Sequence, residues 1–218
     1  MNLRLLSVNT GRARFVGLFE GARVVSAIAK QPIRGKARVG ALGIEGDEQA
    51  DLRVHGGHDK AVYAYPADNW DWWRREHGLA CVPGTFGENL TVECANEDVV
   101  RIGDRFRWGD VLLEVSQPRG PCYKLGLHLG RAEVPQAMTL SAMCGWYLRV
   151  IEAGEAPAAD AVLVRVGDSR GPSVREAFRA RHGMCGAALL RTVFEAPALA
   201  ESWRRAVGRW LEAQRTAQ

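Results

Sequence analysis

Apolar and polar residues alternate in many short segments of the chain as far as residue 166, and this period of two is typical of β-strands with one buried face. The alternation predicts strands over residues 3–8, 16–19, 23–28, 61–65, 91–93, 105–108, 111–116, 146–151 and 161–166. Repeated short strands with few long helices favour a β-barrel or a sandwich. The glycine-punctuated residues 30–51 and residues 152–160 are predicted to be loops.

A helical period of apolar residues replaces this alternation in several places. Pro66 lies near the start and Gly78 just past the end of a predicted helix over residues 66–77. Ser173 and Glu176 form a capping-box motif at the start of a helix that reaches about residue 182. Further helices are predicted over residues 125–130, 134–144, 187–194 and 201–214. Because three of the helices follow the β-rich part, we expect two domains, residues 1–167 and 168–218.

The composition excludes several classes of protein. The 218 residues are 47% hydrophobic and 25% charged, which is ordinary for a globular protein. No apolar run approaches the roughly 18 residues of a membrane helix, and a cytoplasmic protein is expected. The net charge of +4 does not indicate a nucleic-acid-binding stripe. Five cysteines without a C-x-x-C pair predict neither a disulfide framework nor a zinc ribbon.

The first candidate for chemistry is Cys122, which directly follows a predicted strand. Two prolines stiffen the turn before it, and Arg119 and Lys124 flank it. Nearby cations favour the thiolate, the form of cysteine that attacks electrophiles and binds soft metals. Free cysteines are most often small buried hydrophobes, and that simpler interpretation is kept for the other four.

The second candidate is the segment His55-Gly56-Gly57-His58-Asp59-Lys60. Its glycines allow the backbone to approach a ligand, and successive N–H groups there can bind an anion that Lys60 also attracts. Asp59 can accept hydrogen bonds from a heterocycle or orient His58. A zinc or iron site is an open alternative, and a plain polar turn is another. The ligands of the metal site would be His55, His58, Asp47, Asp51 and Asp59.

The third candidate is the glycine-rich segment from Gly84 to Asn89, which contains Gly87. Its backbone donors could face a pterin or a phosphate, whereas a plain hairpin connection would give the same pattern. This segment alone does not decide between the two.

Five spaced segments together resemble the MOSC domain, named after the C-terminal domain of molybdenum cofactor sulfurases, and within it the YiiM type. The segments are Gly46-Asp47 with Gln49-Ala50-Asp51, HGGHDKAV from His55, GTFGENLT from Gly84, GDRFRWGDVLLEVSQPRGPCYKL from Gly103, and GWYLRV from Gly145. They span roughly residues 1–166. The tail from Ser173 is similar to the three-helix domain that follows the barrel in YiiM-type proteins.

The resemblance implies a β-barrel that binds the molybdenum cofactor, with Cys122 as the protein ligand of molybdenum. It also implies the reduction of N-hydroxylated compounds, such as hydroxylaminopurine base analogues, by electrons from a flavin or iron–sulfur protein. Asp59 or His55 would orient the heterocycle or relay protons. The residues assigned to the cofactor are His55, Gly56, Gly57, Asp59, Lys60, Gly87, Asn89 and Arg119.

Two other functions stay open at this level. A binding module could store or hand on the cofactor or its sulfur without turnover, and a zinc or iron hydrolase could use the histidines and aspartates around residue 55. No nucleic-acid or membrane partner is expected. A homodimer is compatible with the sequence.

Overall fold

The computed structural model describes residues 1–50, 56–167 and 169–216. Within these ranges the chain forms thirteen strands and six α-helices. The strands are β1 (Leu3–Thr10), β2 (Arg14–Phe19), β3 (Ala22–Ser26), β4 (Gln31–Pro32), β5 (Lys36–Gly40), β6 (Gly43–Ile44), β7 (Val62–Pro66), β8 (Leu90–Glu93), β9 (Arg105–Trp108), β10 (Val111–Pro118), β11 (Trp146–Glu152), β12 (Gly154–Pro157) and β13 (Ala161–Arg165). The helices are α1 (Trp70–His77), α2 (Tyr123–Leu129), α3 (Val134–Ser141), α4 (Val174–Arg181), α5 (Ala187–Glu195) and α6 (Glu201–Thr216).

Seven of the strands close into a barrel. Around the barrel the order is β13, β9, β10, β11, β7, β8 and β1, and β1 pairs with β13 to complete the ring. Every neighbouring pair is antiparallel except β7 and β8. A parallel pair needs a crossover connection, and α1 lies in the segment between these two strands. The closed ring confirms the predicted mainly β fold and selects a barrel over a sandwich.

The predicted loop over residues 30–51 is wrong in part, because β4, β5 and β6 lie within it. The predicted loop over residues 152–160 is likewise wrong where β12 forms. β5 and β12 pair with each other, from Val39 opposite Gly154 to Lys36 opposite Pro157. β5 alternates buried Ala37 and Val39 with exposed residues, but it is only five residues long, so its local signal is weak and the strand depends on a partner more than 100 residues away.

The C-terminal end of α1 and the start of α4 follow their sequence signals. The predicted start of α1 at Pro66 is wrong, because Pro66 ends β7 and a 3-10 turn over Ala67–Asn69 precedes the helix at Trp70. Gly78 ends α1 in the left-handed conformation, and its N–H donates to the carbonyl of Arg74 at 3.0 Å. At the start of α4, the N–H of Glu176 donates to the Ser173 hydroxyl at 3.1 Å, and the Ser173 N–H donates to the Glu176 carboxylate at 2.7 Å. The predicted capping box is therefore confirmed.

The helical region α4–α6 packs on the barrel through the same hydrophobic core. Phe178 and Trp203 belong to the cluster of buried residues that also contains the barrel side chains. The N–H of Val174 donates to the carbonyl of Val100 at 2.9 Å. All eight residues of β10 are buried, and α4 packs against part of this strand. A domain boundary near residue 168 stays a prediction. Among the described residues, no helix combines the length and the apolar character that crossing a membrane requires.

Candidate functional site

A cleft with a cavity volume of about 90 Å³ opens where the connections β3–β4, β6–β7 and β10–α2 meet the turn before β8. Six of the nine residues assigned from sequence line it: Gly56, Lys60, Gly87, Asn89, Arg119 and Cys122. Residues that the sequence analysis did not assign to the site also line it, among them Lys30, Asp47, Tyr63, Phe86, Lys124 and Tyr147. The fold therefore brings three separate motifs to one place, while the role of each residue stays a prediction.

Cys122 lies between the end of β10 and the start of α2. Its backbone is extended, with φ −139° and ψ 159°, and its carbonyl accepts the N–H of Leu125 at 3.0 Å. The residue is half-buried and lines the cleft. Its backbone is therefore held in a fixed turn while its side chain remains accessible. This is the arrangement that a cysteine ligand of a bound group needs.

The other cysteines differ from Cys122 in their surroundings. Cys144 is fully buried, and burial raises its pKa well above the ordinary value. Burial, together with the charge of Glu88, raises the pKa of Cys81 to about 12. Burial also raises the pKa of Cys185, and the exposed Cys94 does not line the cleft. Of the five cysteines, Cys122 is thus the one that lines the cleft and is also accessible.

Arg119 is a buried cation at the edge of the cleft. Its guanidinium lies 5.6 Å from the centre of the Tyr63 ring, and one of its nitrogens lies 3.3 Å from the sulfur of Met138. Among the described residues, no carboxylate forms an ion pair with it. Burial alone would lower its pKa, but interactions with Tyr63 and Cys122 outweigh that effect and raise it. A buried guanidinium without a carboxylate favours an anionic ligand.

Two lysines add positive charge to the same cleft. Lys60 and Lys124 both line it and are half-buried. Burial lowers the pKa of Lys60, and the positive charge of Arg181 on α4 lowers it further. The helical region therefore contributes to the electrostatic potential of the cleft, although the barrel carries the lining residues.

The base of the cleft is a buried ion pair between Lys30 and Asp47, whose side chains are 7% and 6% exposed. The carboxylate of Asp47 also accepts the N–H of Gly11 at 2.8 Å and the side-chain amide of Asn89 at 2.8 Å. Asn89 in turn accepts the N–H of Tyr63 at 3.1 Å. Asn89 lines the cleft, but these bonds engage its amide in holding the barrel and the long connection together.

The turn before β8 is organised by Glu88, which has no exposed surface. Its carboxylate accepts the N–H of Gly84 at 2.7 Å, the N–H of Phe86 at 2.9 Å and the Thr91 hydroxyl at 2.9 Å. Burial raises the pKa of Glu88 to about 7, and these donors limit the rise. Since the N–H of Gly87 also bonds within the turn, at 3.0 Å to the carbonyl of Gly84, the segment contributes shape more than free donors.

The segment around Asp59 is only partly in the cleft. The Asp59 carboxylate accepts two hydrogen bonds from Arg149, at 2.7 and 3.0 Å, and it does not line the cleft. Gly57 also lies outside the lining. His55 lies outside the described residues, so its predicted contacts and those of Asp59 with a substrate stay predictions.

The zinc or iron alternative finds no support among the described residues. No three His, Cys, Asp or Glu side chains come together there as a metal site. Asp47 is paired with Lys30, and Asp59 is paired with Arg149. His55 and Asp51, two of the five suggested ligands, are outside the described residues.

Tyr63 and Tyr147 form an aromatic wall that the sequence analysis missed. They lie opposite each other on β7 and β11, and their ring centres are 5.2 Å apart. Burial raises the pKa of both hydroxyls, which keeps them protonated. Each tyrosine lies in a predicted strand, but the pairing of those two strands was the missing information.

Comparison with known proteins agrees with this architecture. Residues 51–169 match the family model of the MOSC domain. The chain is 40% identical over 184 residues to the protein YiiM of Escherichia coli K12, which covers 83% of this chain and 82% of the relative. It is 38% identical over 155 residues to a reductase of Gibberella moniliformis, which covers 69% of this chain and 27% of that protein.

A solved structure gives the same result over nearly the full length. The crystal structure of YiiM from Geobacillus stearothermophilus superposes with a TM-score of 0.79 at 31% identity, covering 96% of this chain and 99% of that chain. The barrel, the helical region after it and the ordered motifs around Cys122 therefore agree with the family match. The chain belongs to the MOSC-domain family, and its similarity within that family is to YiiM-type proteins.

Proposed function

We propose that this protein is a reductase that binds the molybdenum cofactor through Cys122 and converts N-hydroxylated compounds, such as hydroxylaminopurine base analogues, to the amines. MOSC domains are associated with the molybdenum cofactor as a family. The observation that carries the proposal is the half-buried sulfur of Cys122 in a cleft bordered by Arg119, Lys60 and Lys124. A relative whose name is reductase supports redox chemistry.

The donor set fits the cofactor. A thiolate is a soft ligand suited to a metal that a pterin dithiolene also binds through sulfur. The phosphate of the pterin is an anion, and Arg119 is a buried cation for which the described residues provide no carboxylate. Lys60 and Lys124 are suited to the same phosphate as point charges. The rings of Tyr63 and Tyr147, inclined at 39° to each other, give the cleft an aromatic side that suits a heterocycle.

The overall reaction takes up two electrons and two protons, breaks the N–O bond and releases an amine and water. The bound cofactor would supply the two-electron step. The residues of the chain position the substrate and provide protons. Lys60 is suited to proton transfer because its lowered pKa makes its ammonium a better acid than that of an ordinary lysine. The Tyr147 hydroxyl, kept protonated by burial, can donate a hydrogen bond to the substrate.

The decisive experiment is metal and pterin analysis of protein purified from a host that makes the cofactor. Wild-type protein should contain molybdenum and pterin in equal amounts, and Cys122→Ser should lose most of both. Cys185→Ser is the matched control, because Cys185 is also half-buried but belongs to the helical region. Equal molybdenum in wild type and Cys122→Ser would refute the assignment of the ligand. Stoichiometric zinc that does not depend on Cys122 would favour the hydrolase.

A second experiment separates a reductase from a carrier. Cofactor-loaded protein is mixed with a chemical reductant and hydroxylaminopurine, and the amine is measured by chromatography. The reductase should form the amine over many turnovers, and Cys122→Ser should not. A protein that retains its cofactor but converts no N-hydroxylated compound would be a binding module.

A further inference from the structure

The hairpin formed by β2 and β3 is a separate two-stranded sheet beside the barrel. Its pairing register places Phe15 opposite Val25 and Leu18 opposite Arg23, so these four side chains share one face. Phe15 is 47% exposed, Leu18 60% and Val25 46%. Contiguous exposed apolar side chains bordered by polar residues mark interaction sites. We call Phe15, Leu18, Arg23 and Val25 the hairpin face.

The opposite face of the hairpin packs against α2, the helix that starts directly after Cys122. A side chain at Gly17 would contact Leu127 of α2 at 3.6 Å, and the ring of Phe19 stacks on that of Tyr123 with the centres 4.2 Å apart. Tyr123 is adjacent to Cys122 in the chain and is itself partly exposed. A protein bound to the hairpin face would therefore be separated from α2 and Cys122 by the thickness of the two-stranded sheet.

The charge around the hairpin has one predominant sign. Arg12, Arg14, Arg23 and Lys124 lie on or beside it, against the carboxylates of Glu20 and of Glu48, which accepts the N–H of Ala13 at 2.7 Å. Among the described residues, none of these four cations forms an ion pair with an acidic side chain. The arginines on the barrel wall differ, because they pair with neighbouring glutamates: Arg4 with Glu93, Arg105 with Glu114 and Arg107 with Glu152. On the separate sheet of β5 and β12, Arg38 likewise pairs with Glu155.

Arg23 has a different arrangement from the wall arginines. Its guanidinium lies 4.4 Å from the centre of the Phe15 ring, so the cation is held flat against an exposed aromatic side chain. Arginine and aromatic residues are the types enriched in protein interfaces. An apolar face with an excess of arginine fits a partner whose surface is acidic.

We propose that the hairpin face is the docking surface for the protein that delivers electrons, and that this donor contacts it through an acidic surface. The inference rests on the proposed reductase function, because each N–O bond broken there consumes two electrons. Redox encounters between proteins bury small areas and depend on charge steering, which fits a face of a few residues. A second copy of the chain is disfavoured as the partner, since it would bring the same excess of positive charge.

The test uses the double variant Arg12→Glu/Arg23→Glu and the single variant Leu18→Ser. The control is Arg191→Glu/Arg205→Glu, which makes the same change in net charge on the exposed surface of α5 and α6. The donors are an acidic plant-type [2Fe–2S] ferredoxin and a flavodoxin, each kept reduced by an NADPH-dependent reductase. Turnover of hydroxylaminopurine is measured with each donor and, separately, with a chemical reductant.

With the chemical reductant, all cofactor-loaded variants should turn over at the wild-type rate. With the protein donors, kcat/KM for the donor should fall about tenfold in the double charge variant and remain unchanged in the control. The wild-type rate should also fall with added salt, and the double variant should lose that dependence. Binding of ferredoxin to the cofactor-free protein, measured by biolayer interferometry, should weaken in parallel.

Several results would overturn the proposal. Equal loss of donor-driven rate in the control would show that net charge alone matters. Failure of both donors to support wild-type turnover, with the chemical reductant still effective, would reject an acidic donor and leave the reductase function intact. No turnover with the chemical reductant would remove the basis of both proposals. A wild-type dimer that Leu18→Ser converts to a monomer in analytical ultracentrifugation would make the hairpin face a contact between copies.

Discussion

The base of the cleft and its border each contain a buried cation, but the cation at the base has a carboxylate partner and the one at the border has none among the described residues. At the base, Lys30 is neutralised by Asp47, and the remaining lone pairs of that carboxylate accept protein hydrogen bonds. At the border, Arg119 is just as buried but contacts only an aromatic ring and a sulfur besides its neighbouring tyrosine. A buried charge that the protein neutralises is structural, whereas one that it leaves without a countercharge indicates a ligand.

The largest expected effect on stability comes from the base of the cleft. Asp47→Asn keeps the shape of the side chain but leaves the Lys30 ammonium buried without its countercharge. The free energy of unfolding should fall by about 3–5 kcal/mol, as is usual when one partner of a buried pair is removed. Urea unfolding followed by circular dichroism measures this change.

The control for Asp47→Asn is Asp59→Asn, which removes a carboxylate from a more exposed pair with Arg149. That change should cost no more than about 1 kcal/mol. If the two variants lost equal stability, the base of the cleft would not be the structural element described above.

The second effect is a pH dependence of the stability from Glu88, which is fully buried in the turn before β8. Its pKa of about 7 in the folded protein lies above the ordinary 4.5, so the folded state binds the proton more tightly than the unfolded state. The stabilisation is complete below about pH 4.5 and is lost as the pH rises to about 7. The difference between these two pKa values corresponds to about 3 kcal/mol.

Glu88→Gln cannot titrate, so comparing it with wild type isolates this contribution. The difference in unfolding free energy between the two proteins should change by about 3 kcal/mol between about pH 4 and pH 8. Wild type should become less stable relative to the variant as the pH rises. Glu93→Gln, at an exposed pair with Arg4, is the control for the loss of a carboxylate. A constant difference for Glu88→Gln would mean that the pKa of Glu88 is the same in the folded and the unfolded protein.

The same contrast explains what the sequence could predict. Cys122 was identifiable because its prolines and cations are neighbours in the chain, and the capping box at Ser173 was identifiable for the same reason. Lys30 and Asp47 are 17 residues apart, and Tyr63 and Tyr147 are 84 residues apart. The folding of two long connections brings the first pair together, and the pairing of β7 with β11 brings the second together. Similarly, β5 and β12 have weak local signals and are stabilised by pairing with each other. Local chemistry was visible in the sequence, and the contacts between distant segments were not.

The smallest effect on stability is expected at the border of the cleft, where the effect on cofactor binding should be large. Arg119→Met removes a buried cation that lacks a carboxylate and replaces it with an apolar side chain of similar length. The free energy of unfolding should change by less than about 1 kcal/mol or rise, because no opposite charge is left behind. The protein purified from a cofactor-making host should nevertheless lose most of its pterin, since the phosphate loses its buried partner. Arg4→Met, at an exposed ion pair on the barrel wall, should keep both stability and pterin. A loss of several kcal/mol in Arg119→Met with the pterin retained would place Arg119 with the structural residues of the base and would remove the distinction between the two parts of the cleft.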